Sequence, residues 1–487
     1  MSTPVAGAPA LHVGDSAGRW VLVATVIGSS MALLDSTVVN LALPRMAEDL
    51  DASFTGLQWI VNGYTLTLAA LILLGGALGD RYGRKRVFMF GAVWFTAASV
   101  ACAIAPGVPM LVAARVAQGA GAALLSPGSL AILQATFEPR ERGRAIGMWS
   151  GLGGVASAIG PFLGGWLVSV ASWRWIFLLN VPLGVAVVLI GRTHIPETRD
   201  PHATGRLDWF GAVLGAASLA ALTLGLSERL WSAAILGIAL MGCFVLAERR
   251  PDPLVPLDIF RSRVFSGTNF VTLLLYGAFA AVFFLLGLVL QESLGYTPLE
   301  AGLATMPITL AMLLLSARAG ALAERIGPRI PMTVGPLLVS AALLLMSRIE
   351  ADSTYVTEVL PGIVVFGLGL SLTVAPLTAT VLGAVSDDHA GVASGVNNAV
   401  ARTGSLLAVA AVPIIAGFAP GVAVDPSELV TGFHTVLRVS AVAAAFAAVV
   451  AWVTVGGRRL ERTEEATFLH CAAAGPPAVA KRVPAGR

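Results

Sequence analysis

One acidic residue of this chain stands where an acid is costly. Asp35 lies inside an unbroken apolar run over residues 20–43, whereas Glu228, Glu292 and Glu300 stand near the ends of such runs, where water is available. An ionisable group in the middle of a bilayer costs about 2.5–3.5 kcal/mol on insertion scales. Burial favours the neutral acid over the carboxylate, so Asp35 could exchange a proton near neutral pH. A structural acceptor for a neighbouring helix is the competing interpretation.

Arg115 and Arg402 are the cations that match Asp35 inside apolar runs. Arginine stays protonated in proteins, so neither residue can carry the proton, but each can pair with a carboxylate. Arg115 begins a segment rich in Gly and Ala that allows close helix packing, and a static pair that holds a helix in place is an alternative role. Asn398, Arg402 and Ser405 share one helical face, which is predicted to line a cavity.

Other polar and aromatic side chains recur at helical spacing within the apolar runs. As a set they predict a cavity for a ligand richer in apolar surface than a sugar or an ion, although each type is also common in helix packing and at membrane interfaces. Together with Asn398 and Arg402, the predicted wall consists of Asn40, Gln58, Trp59, Asn62, Asn269 and Tyr276.

A short charged turn occurs twice in the chain. Residues 76–84 read GALGDRYGR and residues 320–328 read GALAERIGP, an offset of 320 − 76 = 244 residues. An acid in such a turn can accept hydrogen bonds from arginines of the opposite half in one conformation, which predicts a latch; a purely topogenic role for the arginines is the alternative. The predicted gating residues are Asp80, Arg81, Gly83, Arg84, Glu324 and Arg325.

A glycine-rich segment with one proline occupies residues 147–165. Glycines four residues apart leave a groove for a neighbouring helix, and an internal proline removes a backbone hydrogen bond and can bend the helix. Such a helix suits the moving interface between two bundles, with dense packing alone as the alternative. Its key residues are Gly151, Gly160, Pro161, Gly164 and Gly165.

The composition shows that these residues must be positioned by membrane helices. The 487 residues are 56% hydrophobic and 12% charged, whereas soluble domains carry about 25% charged residues, which excludes an ordinary soluble enzyme or nucleic-acid binder. A spanning helix needs about 20 apolar residues. Fourteen such runs are present: 20–43, 57–78, 87–105, 109–133, 145–170, 175–191, 208–226, 231–247, 264–290, 299–322, 330–347, 357–384, 391–416 and 432–456.

Basic residues set the expected orientation, because cytoplasmic loops retain Lys and Arg. With the N-terminus inside, 24 of the 31 Lys and Arg fall on the cytoplasmic side and four on the other. We therefore predict a multi-pass protein of the plasma membrane with both termini in the cytoplasm. Arginine outnumbers lysine 29 to 2, which indicates a GC-rich bacterial genome.

The repeat divides the chain into parts. We predict a cytoplasmic tail over 1–19, a six-helix bundle over 20–191, a linker with two extra spans over 192–263, a second six-helix bundle over 264–456 and a cytoplasmic tail over 457–487. Both copies of the charged turn face the same side, so the repeat is parallel. The predicted fold class is an all-α membrane protein with two related six-helix bundles and two extra central helices.

Five segments, in order, resemble motifs of the major facilitator superfamily, and specifically of its fourteen-span drug:proton antiporter branch. The resemblance spans residues 20 to about 457 and implies that Asp35 senses protons, that Arg115 couples them to transport and that Asp80 and Arg84 form a gating pair. Some members carry a second acid in span 10, where this chain has only Glu300 at the outer edge. The segments are 34–44, 76–86, 115–123, 151–165 and 173–182.

The sequence therefore predicts a carrier that exports a hydrophobic or aromatic small molecule, such as a drug or antibiotic, in exchange for protons by alternating access. Its partners would be this substrate, protons and the lipid bilayer, with no nucleic acid, metal or other cofactor. The six histidines lie outside the spans or at their edges, so no enzyme is expected. An uptake symporter of the same fold and a non-transporting membrane sensor are the alternatives.

Overall fold

The structure, a computed structural model, describes residues 11–199, 207–250, 253–386, 390–419 and 424–456. Residues 1–10 of the predicted N-terminal tail and the predicted tail 457–487 lie outside this range, as do parts of the linker. The fifteen α-helices of the described ranges are α1 Ser16–Leu50, α2 Phe54–Tyr82, α3 Arg84–Ala103, α4 Val108–Thr136, α5 Pro139–Val170, α6 Arg174–Leu178, α7 Asn180–His194, α8 Trp209–Ser227, α9 Trp231–Ala247, α10 Arg263–Leu288, α11 Pro298–Ile326, α12 Arg329–Met346, α13 Leu360–Gly383, α14 Ala390–Ala416 and α15 Pro426–Thr454.

Short segments of other helix types complete the backbone. A 3₁₀ helix covers Leu257–Arg261, and π-helical turns cover Val289–Ser293 after α10 and Tyr355–Val359 before α13. Within the described residues the only β pairing is one isolated bridge between Leu11 and Phe137. The prediction of an all-helical fold is confirmed.

The predicted apolar runs coincide with these helices. Thirteen helices are long and apolar enough to cross a membrane, with α6 and α7 together forming one of them. The remaining run corresponds to α9, which is apolar but has 17 residues, about 26 Å at 1.5 Å per residue. The count of fourteen spans therefore stays a prediction.

Helix packing repeats between the two parts of the chain. In the first bundle α1 packs on α5, α2 on α4 and α3 on α4; in the second α10 packs on α14, α11 on α13 and α12 on α13. Gly83 ends α2 with φ 115° and Gly327 ends α11 with φ 86°, a backbone that favours glycine. The two charged turns thus share their backbone conformation as well as their sequence.

The molecule has two faces, which we name by position. The tail face carries the start of α1 and the turn at Gly83, and the far face carries the turn at Asp51 between α1 and α2. At the far face the bundles are in contact: Gln58 Nε2 of α2 donates to the Val409 carbonyl of α14 at 2.6 Å. One buried apolar core continues from the second bundle across this contact into the first.

The bundles separate toward the tail face along α5 and α11. At the far face Gly165 of α5 abuts the backbone of Pro298 in α11, so that a Cβ atom there would lie 2.6 Å from the Pro298 carbonyl oxygen. In the tail-face half of α5, by contrast, a Cβ atom added at Gly143, Gly147 or Gly151 would meet no described atom within 4 Å. The structure is therefore closed at the far face and open between these helices at the tail face.

The inserted pair α8 and α9 forms a hairpin against α2 and α14. Its far-face turn contacts both bundles. Trp59 Nε1 of α2 donates to Glu228 Oε1 at 3.0 Å, and Arg229 Nη2 donates to the carbonyls of Pro413 at 2.9 Å and Phe418 at 2.6 Å, at the end of α14. The insertion thus links the two bundles at the face where they meet.

Candidate functional site

Asp35 forms a buried ion pair. Its Oδ2 lies 2.5 Å from Arg115 Nη1, and each side chain is 1% exposed. Gln118 Nε2 donates to the other oxygen, Asp35 Oδ1, at 2.8 Å, and Gln118 Oε1 accepts from Arg115 Nη1 at 2.6 Å. Ser99 Oγ accepts a further bond from Gln118 Nε2 at 2.8 Å. The acid predicted from the sequence therefore contacts the predicted arginine, and Gln118 joins them.

The packing of α4 fixes the arginine independently of the acid. Gly119 follows Gln118 on α4, and a Cβ atom at Gly119 would collide with the Tyr64 carbonyl and the Thr67 hydroxyl of α2. Because glycine permits this close approach, Arg115 Nε reaches the Ile60 carbonyl at 3.1 Å and its guanidinium lies 4.3 Å from the Tyr64 ring centre. Asp35 thus meets a cation that is already oriented.

This geometry makes the charge of Asp35 consequential. Protonation of the carboxylate would leave Arg115 buried without a counter-ion. Breaking a buried ion pair by removing one charge typically costs about 3–5 kcal/mol. A proton on Asp35 could therefore shift the relative energies of two helix arrangements, which is the physical requirement for coupling proton binding to a conformational change.

A small cavity adjoins the pair at the centre of the molecule. It has a volume of about 120 Å³ and lies between α1, α2, α4, α10 and α14. Arg115, Tyr64 and Ser405 contribute to its wall, together with Asn40 and Arg402, two of the residues predicted to line a cavity. Asp35 does not line this cavity, because Arg115 and Gln118 enclose its carboxylate.

The other predicted wall residues are used elsewhere. Gln58 and Trp59 form the far-face bonds described above rather than lining the central cavity, and Asn62 is fully buried without a described hydrogen-bond partner. Tyr276 packs against Phe279, with 5.7 Å between ring centres. Helical spacing predicts which side chains share a face, but which neighbour a face meets depends on packing between the bundles.

Asn269 and Asn398 also lie away from the central cavity. Asn269 Oδ1 accepts from Asn397 Nδ2 at 3.1 Å, and Asn398 is exposed and donates to the Ser394 carbonyl within its own helix. Asn269 lines a larger apolar cavity of about 380 Å³, which lies between the α8–α9 hairpin and α2, α10 and α14. That cavity contains neither member of the Asp35–Arg115 pair in its wall, so the chemistry places the candidate site at the smaller one.

The first charged turn forms one ion pair within itself and another with the segment that follows α7. Asp80 Oδ1 lies 2.8 Å from Arg84 Nη2, which brings together the predicted gating pair. The carboxylate of Glu197, from the segment after α7, occupies the space beside Gly83, where a Cβ would lie 2.5 Å from Glu197 Oε1. Lys85 donates its backbone N–H to the same oxygen at 3.2 Å. Glu197 was not anticipated, because it lies 113 residues beyond Arg84 in a segment without a motif.

The remaining gating candidates are on the surface. The Arg81 guanidinium lies 5.9 Å from the Tyr82 ring centre, and Glu324 and Arg325 of the second turn are exposed. The bonds predicted between the turn and the opposite half belong to a shut tail face, and this structure is open there. They therefore stay a prediction.

The five key residues of α5 divide into three groups. Gly160 and Gly164 face α1, where Leu34 and Val38 leave no room for a Cβ atom. Pro161 and Gly165 contact α11 of the other bundle, and Gly151 faces open space. Close packing within one bundle and contact between the bundles therefore alternate along one helix.

The site has no recognisable metal centre in the part of the chain that the structure describes, because those residues contain no group of three or more His, Cys, Asp or Glu side chains able to hold an ion. Cys102 is buried beside Gln118, and its sulfur lies 3.6 Å from Gln118 Oε1. The chemistry of the site is thus that of a buried charge pair next to a cavity.

Comparison with known sequences gives consistent matches. A profile of the Major Facilitator Superfamily matches residues 25–409 and 268–470. The chain is 34% identical to the tetracenomycin C resistance and export protein of Streptomyces glaucescens, over 81% of this chain and 75% of that protein. It is 37% identical to a methylenomycin A resistance protein of Streptomyces coelicolor, over 81% and 85%. It is 33% identical to a puromycin resistance protein of Streptomyces alboniger, over 90% and 92%.

Solved structures agree in fold. A bacterial homologue of human drug peptide transporters superposes with a TM-score of 0.67 at 15% identity, covering 90% of this chain and 98% of that one. A D-xylose-proton symporter superposes with a TM-score of 0.65 at 15% identity, covering 91% and 99%. At this level of identity the likeness concerns the arrangement of helices alone.

Proposed function

Because this chain belongs to the Major Facilitator Superfamily, we propose that it exports a hydrophobic or aromatic small molecule, such as a drug or antibiotic, across the plasma membrane in exchange for protons. Export of this kind of compound is supported by relatives that are named as resistance and export proteins and share 33–37% identity over most of the chain. Proton exchange rests on one observation, the buried Asp35–Arg115 pair beside the central cavity.

The tail face is the cytoplasmic face in this proposal. The distribution of Lys and Arg supports this assignment, since 24 of 31 belong to that side and cytoplasmic loops retain basic residues. The conformation described here, closed at the far face and open between α5 and α11 at the tail face, is then the one that admits substrate from the cytoplasm.

The cycle uses the ion pair as its proton site. In the cytoplasm-open form Asp35 is paired with Arg115, and the substrate enters the central cavity. After the bundles rock and the substrate leaves, a proton from outside neutralises Asp35, and the broken ion pair shifts the relative energies of the two helix arrangements toward the return step. Loss of the proton to the cytoplasm restores the pair.

The moving surfaces have matching roles. Gly165 and Pro161 of α5 permit close contact with α11 when the far face is closed. The Asp80–Arg84 pair sits in the turn that approaches the second bundle when the tail face shuts. If the charged residues of this turn changed partners between the open and shut states of the tail face, the turn would act as a latch that holds the tail face shut.

Proton flux in proteoliposomes tests the proposal. Tetracenomycin C, methylenomycin A and puromycin, the compounds named in the relatives, are added in turn, and an entrapped pH dye records protons that move opposite to the compound. We expect at least one of them to drive proton flux with the wild type and none with Asp35→Asn. A symporter would move protons and compound in the same direction.

Asp51→Asn is the matched control. Asp51 is an exposed acid at the far-face end of the same helix, with φ 49°, a conformation that Asn also tolerates. It should behave like the wild type in insertion and in flux. Undiminished substrate-driven proton flux in Asp35→Asn would refute the assignment of Asp35.

A further inference from the structure

The central cavity carries a positive charge that no acid of the described residues balances. Two arginines, Arg115 and Arg402, contribute to its wall, and among its described lining residues there is no acid. Asp35 neutralises Arg115 from behind the wall. The charge of Arg402 remains.

Arg402 has no partner within the described part of the chain. None of those carboxylates forms an ion pair with it, and none of those acceptors receives a hydrogen bond from its guanidinium, although the half-buried side chain sits in an apolar helix. A cation in this position is costly unless something compensates it, and its five N–H donors are unused.

A second polar group of the wall also lacks a partner. The carboxamide oxygen of Asn40 is buried and receives no hydrogen bond from the described residues. Asn40 lies on α1 and Arg402 on α14, and both residues contribute to the wall. The cavity therefore offers the strong donors of Arg402 beside the Tyr64 ring, and the Asn40 oxygen stays buried within the wall.

We propose that this site selects substrates that carry an acidic group, a carboxylate or an ionised phenol, on an aromatic framework, and that Arg402 binds that group. A guanidinium matches a carboxylate with two parallel hydrogen bonds. The proposal rests on the export function proposed above and adds the charge class of what is exported.

Binding without any proton gradient tests this charge preference directly. Three probes of one shape are 2-naphthoate, its methyl ester and 2-naphthylmethylammonium, and their Kd values are measured on the purified full chain in detergent. We expect the order naphthoate, ester, ammonium from tightest to weakest. A hydrogen bond to a charged group contributes about 1.5–3 kcal/mol, which corresponds to roughly a tenfold to 150-fold gap between acid and ester.

Variants of Arg402 test whether this residue causes the difference in affinity between acid and ester. Arg402→Gln should remove the gap by weakening naphthoate binding at least about tenfold, while ester binding changes less than about threefold. Arg402→Lys should keep part of it, because the charge remains without the planar fork. Arg438→Gln is the control, since Arg438 is exposed on α15 and outside the cavity wall.

Equal affinity of the wild type for acid and ester, or an undiminished preference in Arg402→Gln, would overturn the proposal. The wild-type comparison needs no variant and so does not depend on how Arg402→Gln folds. Failure of this inference can also be distinguished from failure of the proposed export function. Proton-driven export of uncharged compounds without an acid preference refutes only this inference, whereas acid binding without any proton-coupled flux refutes only the export function.

Discussion

The buried pair should reveal itself in stability as well as in transport. Replacing Asp35 with Asn removes the negative charge and leaves Arg115 buried with only neutral partners, the Ile60 carbonyl and Gln118 Oε1. Because both side chains are 1% exposed, solvent cannot replace the lost counter-ion. The expected loss in the free energy of unfolding is about 3–5 kcal/mol, at the lower end because two neutral acceptors and the Tyr64 ring remain.

The second substitution separates charge from shape. In the double variant Asp35→Asn/Arg115→Gln both charges are gone, and two amides can hydrogen-bond to each other or to Gln118. Replacing a buried pair as a unit is far less costly than breaking it, so we expect at least about 2 kcal/mol of the single variant's loss to return. Denaturant titration in detergent of the wild type, the single variants Asp35→Asn and Arg115→Gln, and the double variant gives the coupling energy as a double-mutant cycle.

The transport result should differ from the stability result. Both variants lack a proton site, so neither should show substrate-driven proton flux, even though the double variant is the more stable of the two. The reasoning fails if Asp35→Asn is as stable as the wild type, or if the two single losses simply add. Either result would mean that the pair is not held as a desolvated unit.

Four further substitutions test other parts of the structure. Gly165→Ala should reduce stability by about 1–3 kcal/mol through overpacking against the Pro298 backbone, whereas Gly151→Ala, with open space around it, should gain up to about 1 kcal/mol; thermal unfolding compares them, and equal effects would contradict the packing argument. Arg229→Ala should lose about 1.5–3 kcal/mol, since its hydrogen bonds to two α14 carbonyls are charge-assisted, and an unchanged melting temperature would show that the bonds are not formed. Burial raises the pKa of Glu248 above its ordinary value of 4.5, so the folded chain binds this proton more tightly and the free energy of unfolding falls as pH rises between the two pKa values. The free energy of unfolding of Glu248→Gln should therefore fall less than that of the wild type across that pH range. If the two proteins lose the same free energy of unfolding as pH rises, the pKa of Glu248 is not raised by burial.

Much of the fold was predictable because membrane helices follow simple rules. Length and hydropathy gave runs that each overlap a helix, and the 244-residue repeat between the charged turns is matched by positive φ angles at Gly83 and Gly327. The pairing of Asp35 with Arg115 was also predictable in kind, because a buried acid and a buried base lower each other's energy.

Other contacts depend on neighbours that no local pattern specifies. Gln118 was visible in its motif, but its role between acid and arginine follows from the angle at which α4 meets α1. Gln58 shares a helical face with Asn62, yet at the closed far face Gln58 contacts α14 and its neighbour Trp59 contacts the inserted hairpin. Such use of a polar face becomes visible only when both bundles are in place.

The α8–α9 hairpin has an energetic consequence for the empty carrier. Its turn holds Trp59 through Glu228 on one side and the end of α14 through Arg229 on the other. Parting the bundles at the far face must break at least one of these attachments. If the weaker one contributes about 1.4 kcal/mol, the resting equilibrium is biased tenfold toward the form seen here. The α8–α9 hairpin, although remote from the central cavity, would thus determine which conformation the protein favours when no substrate is bound.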